Sequence, residues 1–124
     1  MVDILVVDDT EALLETYCNI LSRMGHQVFK AENGASALEM IASREFDLIF
    51  TDQEMPQLRG TDLILEIRRL GKKMPIILAS GNTFLHDDNS IDPQAWQEIF
   101  AFLQKPIENA VLKETITKAL NPNG

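Results

Sequence analysis

Apolar residues fall along this chain in short continuous runs separated by amphipathic stretches. The first run, Ile4-Leu5-Val6-Val7, is apolar at every position, which predicts a strand buried on both faces, as in a parallel sheet. Leu14, Tyr17, Cys18, Leu21 and Met24 then recur at helical spacing, and Gly25 stands where a helix C-terminus favours glycine. HQVFKAE predicts a short second strand, Asn33-Gly34 a turn, and Ala37, Leu38 and Ile41 a second helical stripe. FDLIFTD, Phe46 to Asp52, repeats the character of the first run: apolar, then a carboxylate. Thr61 is placed to cap a helix carrying Ile64, Ile67 and Leu70, and MPIILAS predicts a fourth strand ending at Ser80. The next repeat is less regular. Phe84 to Pro93 is polar and loop-like, Pro93 suits the first turn of a short helix, and AFLQ before Lys105 predicts a brief fifth strand. Val111, Leu112, Ile116, Ala119 and Leu120 predict a closing amphipathic helix, so the domain spans 1–120, with Asn121-Pro122-Asn123-Gly124 a tail or the start of a linker. Strands alternating with helices in this way predict an open parallel α/β sheet with right-handed crossovers.

Composition changes the picture only in part. A chain of 124 residues makes one domain with a real core and leaves no room for a second. The formal net charge of −8 disfavours non-specific binding to nucleic acid or an anionic membrane, leaving a protein or a cation as the expected partner. Cys18 is the single cysteine and can form no internal disulfide, there is no basic segment leading into an apolar stretch, and no run approaches membrane-spanning length. The expectation is a soluble cytoplasmic domain.

The candidate chemistry lies at the strand ends. Open parallel sheets bind ligands outside the carboxyl ends of their strands. Here the first strand ends in Asp8-Asp9, the third in Asp52, the fourth in Ser80 and the fifth in Lys105, so three carboxylates, a hydroxyl and an ammonium converge on one edge. Two carboxylates about 4 Å apart repel by roughly 4 kcal/mol at an effective dielectric near 20, which points to a cation between them. The plainer reading of the first pair is that Asp9 or Thr10 caps the following helix.

Taken in order, VVDD, TDQEMP with Gly60 four residues beyond Pro56, Ser80-Gly81, and FLQKP resemble the receiver domain of two-component response regulators, the CheY-like family, over residues 3–120. The resemblance implies a flavodoxin-like (βα)5 three-layer sandwich with strand order 2-1-3-4-5. It implies Asp52 as phosphoacceptor, Asp8 and Asp9 with Asp52 as metal-site acids, and the backbone carbonyl of Glu54 as a further metal ligand. Ser80, beside Gly81, would hydrogen-bond a phosphoryl oxygen, Lys105 would pair with another, and Phe102 takes the place of the aromatic switch. Glu54 and Asn82 would flank the phosphoryl group and set its lifetime, and Lys105-Pro106 resembles the family's cis peptide. The chemistry agrees with these roles: oxygen donors without histidine or thiol suit Mg²⁺, and a hard cation with a lysine offsets the charge of a phosphoryl group. The implied function is a signalling switch rather than a turnover enzyme. It would take a phosphoryl group from a histidine kinase or histidine phosphotransfer protein and be read by a downstream protein or output domain, without direct nucleic-acid or membrane contact. Such a chain could be free-standing, a phosphorelay shuttle, or a piece of a longer regulator or hybrid kinase.

Two other readings use some of the same residues. A haloacid-dehalogenase-type phosphohydrolase would take Asp8 as nucleophile with Ser80, Lys105 and the pair Asp87-Asp88. Asp8 and Asp9 are adjacent rather than two apart, however, the lysine follows the acidic pair, and Asp52 is left idle. A non-catalytic Mg²⁺- or Ca²⁺-binding scaffold gives no reason for Ser80 and Lys105. Arg68, Arg69, Lys72 and Lys73 read as a solvated helix end, Trp96 as packing on a helix face, and His26 and His86 as isolated residues without ligand spacing. The stretch from Ser80 to Lys105 is a few residues longer than the resemblance implies. That predicts a mobile loop followed by a short fourth helix beginning near Pro93.

Overall fold

The structure is a computed structural model and describes residues 2–121; the expected tail at 122–124 lies outside the described residues. Five strands, β1 (Asp3–Val7), β2 (Gln27–Ala31), β3 (Leu48–Asp52), β4 (Ile76–Ser80) and β5 (Ala101–Gln104), alternate with α1 (Glu11–Arg23), α2 (Gly34–Ser43), α3 (Gly60–Arg69), α4 (Pro93–Gln97) and α5 (Asn109–Leu120). All the strand pairs are parallel and their order is β2-β1-β3-β4-β5, the flavodoxin-like arrangement expected.

Alternation along each strand divides the core into two layers. Leu5, Val7, Ile49, Ile76 and Leu78 pack with Ile41, Leu63, Ile64 and Ile67 of α2 and α3, whereas Ile4, Val6, Leu48, Phe50 and Ile77 pack with Leu14, Leu21, Leu112 and Ile116 of α1 and α5. The continuous apolar runs have this cause: β3 and β4 are buried at every position, while the edge strands β2 and β5 are partly exposed. No helix among the described residues is long and apolar enough to cross a membrane.

Two local expectations are corrected. Asn33-Gly34 is not a free turn: Asn33 is the N-cap of α2, its side chain accepting the Ser36 N–H at 2.8 Å. Thr61 does not cap α3; Arg59 holds that position without a side-chain cap, its backbone N–H donating to Asp62 Oδ2 at 3.2 Å, while Thr61 is buried inside the first turn. Asparagine serves turns and caps equally well, because its side-chain amide oxygen can accept a backbone N–H two or three residues on in either setting. The polar stretch before α4 is also better anchored than its composition predicts. A 3-10 turn at Leu85–Asp87 buries Leu85, and Ile91 is buried beside it. Helix α4 begins at Pro93 and is short, as expected.

Candidate functional site

The carboxyl ends of β1 and β3 lie side by side at the centre of the sheet, with Val7 paired to Thr51. Asp8 and Asp52 follow from that pairing: both are buried, at 2% and 6% exposure, and Asp9 beside them is exposed. One carboxylate oxygen from each of the three lies within 4.8 Å of the others. Asp8 also uses its Oδ1 to accept the Thr10 N–H at 2.9 Å, so the start of α1 is fixed by Asp8 while the Thr10 side chain makes no cap. Lys105 follows directly on β5, its N–H bonded to the Ser80 carbonyl at 2.8 Å, and the peptide bond after it, Lys105-Pro106, is cis. Its Nζ stands 2.8 Å from Asp52 Oδ1 and 3.3 Å from Asp8 Oδ2.

Burial decides the electrostatics. Desolvation pushes the Asp52 carboxyl up to about 6, against the pull of the Lys105 ammonium. For Lys105, burial works to lower its pKa, but the adjacent Asp52 and Asp8 outweigh it and the net direction is upward. The pair is therefore favourable, yet the lysine does not compensate Asp52 fully. Asp52 Oδ1 is within ion-pair distance of Nζ but has no aligned hydrogen-bond donor. A buried carboxylate oxygen short of donors, grouped with two more carboxylates and no histidine or thiol, fits a hard divalent cation.

Ser80 is fully buried at the end of β4, next to the Asp52–Ala79 pairing. Its hydroxyl donates to the carboxylate of Glu54, whose two oxygens lie at 2.7 and 2.9 Å, and accepts the Asn82 N–H at 3.0 Å. Asn82 turns its own Oδ1 to the Phe84 N–H at 2.9 Å, and Gly81 between them is exposed. Phe102, on β5, is half-buried; it meets the edges of His86 and Trp96 at ring-centre distances of 5.3 and 5.9 Å. Glu54 thus faces Ser80, and Phe102 sits in an aromatic cluster outside the acidic group.

Two positioning features escaped the sequence. Gln53, buried between Asp52 and Glu54, clamps α3: its Oε1 accepts the Thr61 N–H at 2.7 Å and its Nε2 donates to Thr61 Oγ1 at 3.0 Å. A glutamine flanked by acids in a polar loop gave no signal of burial. His86 stacks on Trp96 at 3.9 Å between ring centres, so it is isolated only in sequence; their ten-residue separation across a loop and a helix start hides the contact.

The family model described as the response regulator receiver domain matches residues 4–117. The chain belongs to that family. Among relatives of this receiver, the transcriptional regulatory protein GlrR of Escherichia coli (strain K12) is 31% identical over 94% of the chain, and the DNA-binding transcriptional regulator NtrC of Azospirillum brasilense is 33% identical over 97%. The chain spans only 26% and 24% of the length of those two regulators. Among solved structures, the response regulator protein TrrA of Thermotoga maritima in complex with Mg²⁺-BeF is 32% identical, with a TM-score of 0.86 over 97% of this chain and 100% of that one. The acidic group of this receiver, Asp8, Asp9 and Asp52, fits a phosphoacceptor site. The phosphohydrolase alternative is not sustained. The family assignment removes it, and Asp88 is turned away to Ser90 and Arg59 rather than joining Asp8.

Proposed function

We propose that this receiver takes a phosphoryl group from a phosphohistidine of a histidine kinase or histidine phosphotransfer protein onto Asp52, and is then read by a downstream protein or output domain. The observation that carries the reading is the meeting of three carboxylates within 4.8 Å with the Lys105 ammonium at 2.8 Å from Asp52. An Asp52 oxygen attacks phosphorus, the bond from phosphorus to the donor nitrogen breaks, and an acyl phosphate forms. Lys105, freed from part of its pairing with Asp52, meets the charge that arrives on the phosphoryl oxygens. The carboxylates of Asp8, Asp9 and Asp52 and the backbone carbonyl of Glu54 would hold Mg²⁺. Bound there, the cation supplies charge neutralisation of the phosphoryl oxygens.

Hydrolysis of the acyl phosphate returns Asp52 unchanged. Asn82 orients the attacking water, and Glu54 slows its attack. Because Asp52 is both reagent and memory, the domain acts as a switch rather than a turnover enzyme. Ser80 and Phe102 carry the change to the face formed by α4, β5 and α5. The proposed location is cytoplasmic, and the net charge of −8 disfavours direct contact with nucleic acid or an anionic membrane.

Incubation with acetyl phosphate and Mg²⁺, followed by intact-mass measurement, tests the reading. One acid-stable, base-labile phosphoryl group is expected, absent in Asp52→Asn and reduced in Lys105→Ala. Label on Asp8 instead of Asp52 would overturn it.

A further inference from the structure

The hydroxyl of Ser80 has a single hydrogen to donate. In this structure that hydrogen is engaged by Glu54, with carboxylate oxygens at 2.7 and 2.9 Å, while the Ser80 side chain itself is fully buried. A hydroxyl bonded to a carboxylate forms a charge-assisted hydrogen bond, about twice as strong as a neutral one. Glu54 is an exposed residue on the connection between β3 and α3, so its side chain reaches across the mouth of the site to the end of β4.

We propose that the Glu54 carboxylate is the resting-state occupant of the Ser80 hydroxyl and must be displaced before Ser80 can bond an oxygen of the phosphoryl group on Asp52. The inference rests on the receiver reading and makes Glu54 a positioning residue acting through Ser80. Two anionic acceptors compete for one hydrogen, and they cannot share it without crowding like charges in a partly buried site. The competition also reaches the loop after β4. Ser80 Oγ accepts the Asn82 N–H at 3.0 Å, Asn82 Oδ1 accepts the Phe84 N–H at 2.9 Å, and the Asn82 carbonyl accepts the Leu85 N–H at 3.3 Å. The partner of the hydroxyl therefore sets the origin from which Gly81 to Leu85 are hung. Glu54 holds that origin in its resting place, and exchange of one anion for the other releases it.

Simple repulsion between Glu54 and the phosphoryl group is the rival explanation, and it needs no Ser80. The two separate in a mutant cycle read by the affinity for beryllofluoride in the presence of Mg²⁺. Glu54→Ala is expected to tighten binding about tenfold, the equivalent of one charge-assisted hydrogen bond no longer competing. Glu54→Gln, which still accepts from Ser80 but without charge, is expected to fall between it and the parent. In a Ser80→Ala background the gain from Glu54→Ala should shrink to less than about twofold, because the contested hydrogen is gone. Unchanged or weaker binding by Glu54→Ala would overturn the inference, as would an equal gain in both backgrounds, which is the signature of charge alone. A parent protein with no Mg²⁺-dependent beryllofluoride binding that Asp52→Asn removes would instead overturn the receiver reading, and this inference with it.

Discussion

Asp52 is the residue at which burial and charge oppose each other most directly. Its carboxyl ordinarily ionises near 3.8 and is raised to about 6, chiefly by desolvation. Because the native value lies above the unfolded one, the native state binds the proton more tightly. Stability from this group is therefore greatest below about pH 4 and is lost as pH rises through about 6, levelling off only beyond that value. A shift of this size corresponds to roughly 3 kcal/mol as an upper bound, since one pKa unit is about 1.4 kcal/mol. In metal-free buffer, Asp52→Asn should be more stable than the parent by about 1–3 kcal/mol at pH 7 and nearly equal to it at pH 4. Urea unfolding of both proteins across that range checks the sign; an Asn variant that is less stable at pH 7 would show that Lys105 dominates burial. The acid itself was legible as the end of an apolar run. Its altered ionisation was not, because that depends on how completely β1 and β3 cover it.

At the scale of elements, the strands were easier to read than their caps. Continuous apolar runs predicted β1, β3 and β4, because burial on both faces leaves few alternatives. Asn33 and Thr61 were misplaced because capping depends on backbone angles that residue type leaves open; Thr61 is held by Gln53, a partner eight residues upstream. The same connection brings α3 unusually close to β3. A Cβ built on Gly60 would lie 2.5 Å from the Asp52 carbonyl oxygen and 2.7 Å from Leu78 Cδ1. In an exposed helix, Gly→Ala would gain up to about 1 kcal/mol from propensity, but overpacking costs about 1–3 kcal/mol. The nearest atom is backbone and cannot rotate aside, so the clash should win. Gly60→Ala is expected to lose about 1–2 kcal/mol in urea unfolding and to slow labelling of Asp52 by acetyl phosphate, whose carbonyl end of β3 is displaced. A gain in stability would mean that the α3 start can move away freely. The Gly60 spacing was visible in the sequence as part of the motif, but the steric reason for it was visible only in three dimensions.

Across the whole molecule, α/β alternation carried the parallel sheet and the convergence of Asp8, Asp9, Asp52 and Lys105 on one edge, whereas the strand order came with the family resemblance. Local polarity carried less: Leu85 and Ile91 enter the core from a stretch that reads as loop, and His86 finds Trp96 only after the chain folds back. A cation that binds the assembled acids stabilises the native state alone, by about 2.7 kcal/mol at a hundred times its dissociation constant. Mg²⁺ should thus raise the melting temperature of the parent in a saturable way and have little effect on Asp9→Asn. Insensitivity of the parent to millimolar Mg²⁺ would remove the cation from this site.

The longest coupling expected in the molecule runs from Ser80 to the surface. The loop hung on the Ser80 hydroxyl leads through Asn82 and Phe84 to the turn at Leu85–Asp87, where the exposed His86 ring stacks on Trp96 at 3.9 Å and both rings meet Phe102. Leu85 is pinned in the core, so movement of the loop should turn His86 about a fixed neighbour rather than carry the whole segment away. Trp96 is the single tryptophan, so the emission reports on its contacts with His86 and Phe102 without interference from another indole. Beryllofluoride with Mg²⁺ is expected to change Trp96 emission in the parent, and His86→Leu should abolish most of that change while leaving beryllofluoride affinity within about twofold, since His86 lies outside the acidic site and stacking of this kind contributes about 1 kcal/mol locally. Amide hydrogen exchange gives the matching backbone readout: protection should rise over Gly81 to Asn89 and near Phe102 when the phosphoryl mimic is bound. If emission responds equally in His86→Leu, the signal reaches Trp96 through β5 and Phe102 instead; if neither emission nor exchange changes with the mimic bound, the aromatic cluster is static packing and the surface change must arise elsewhere.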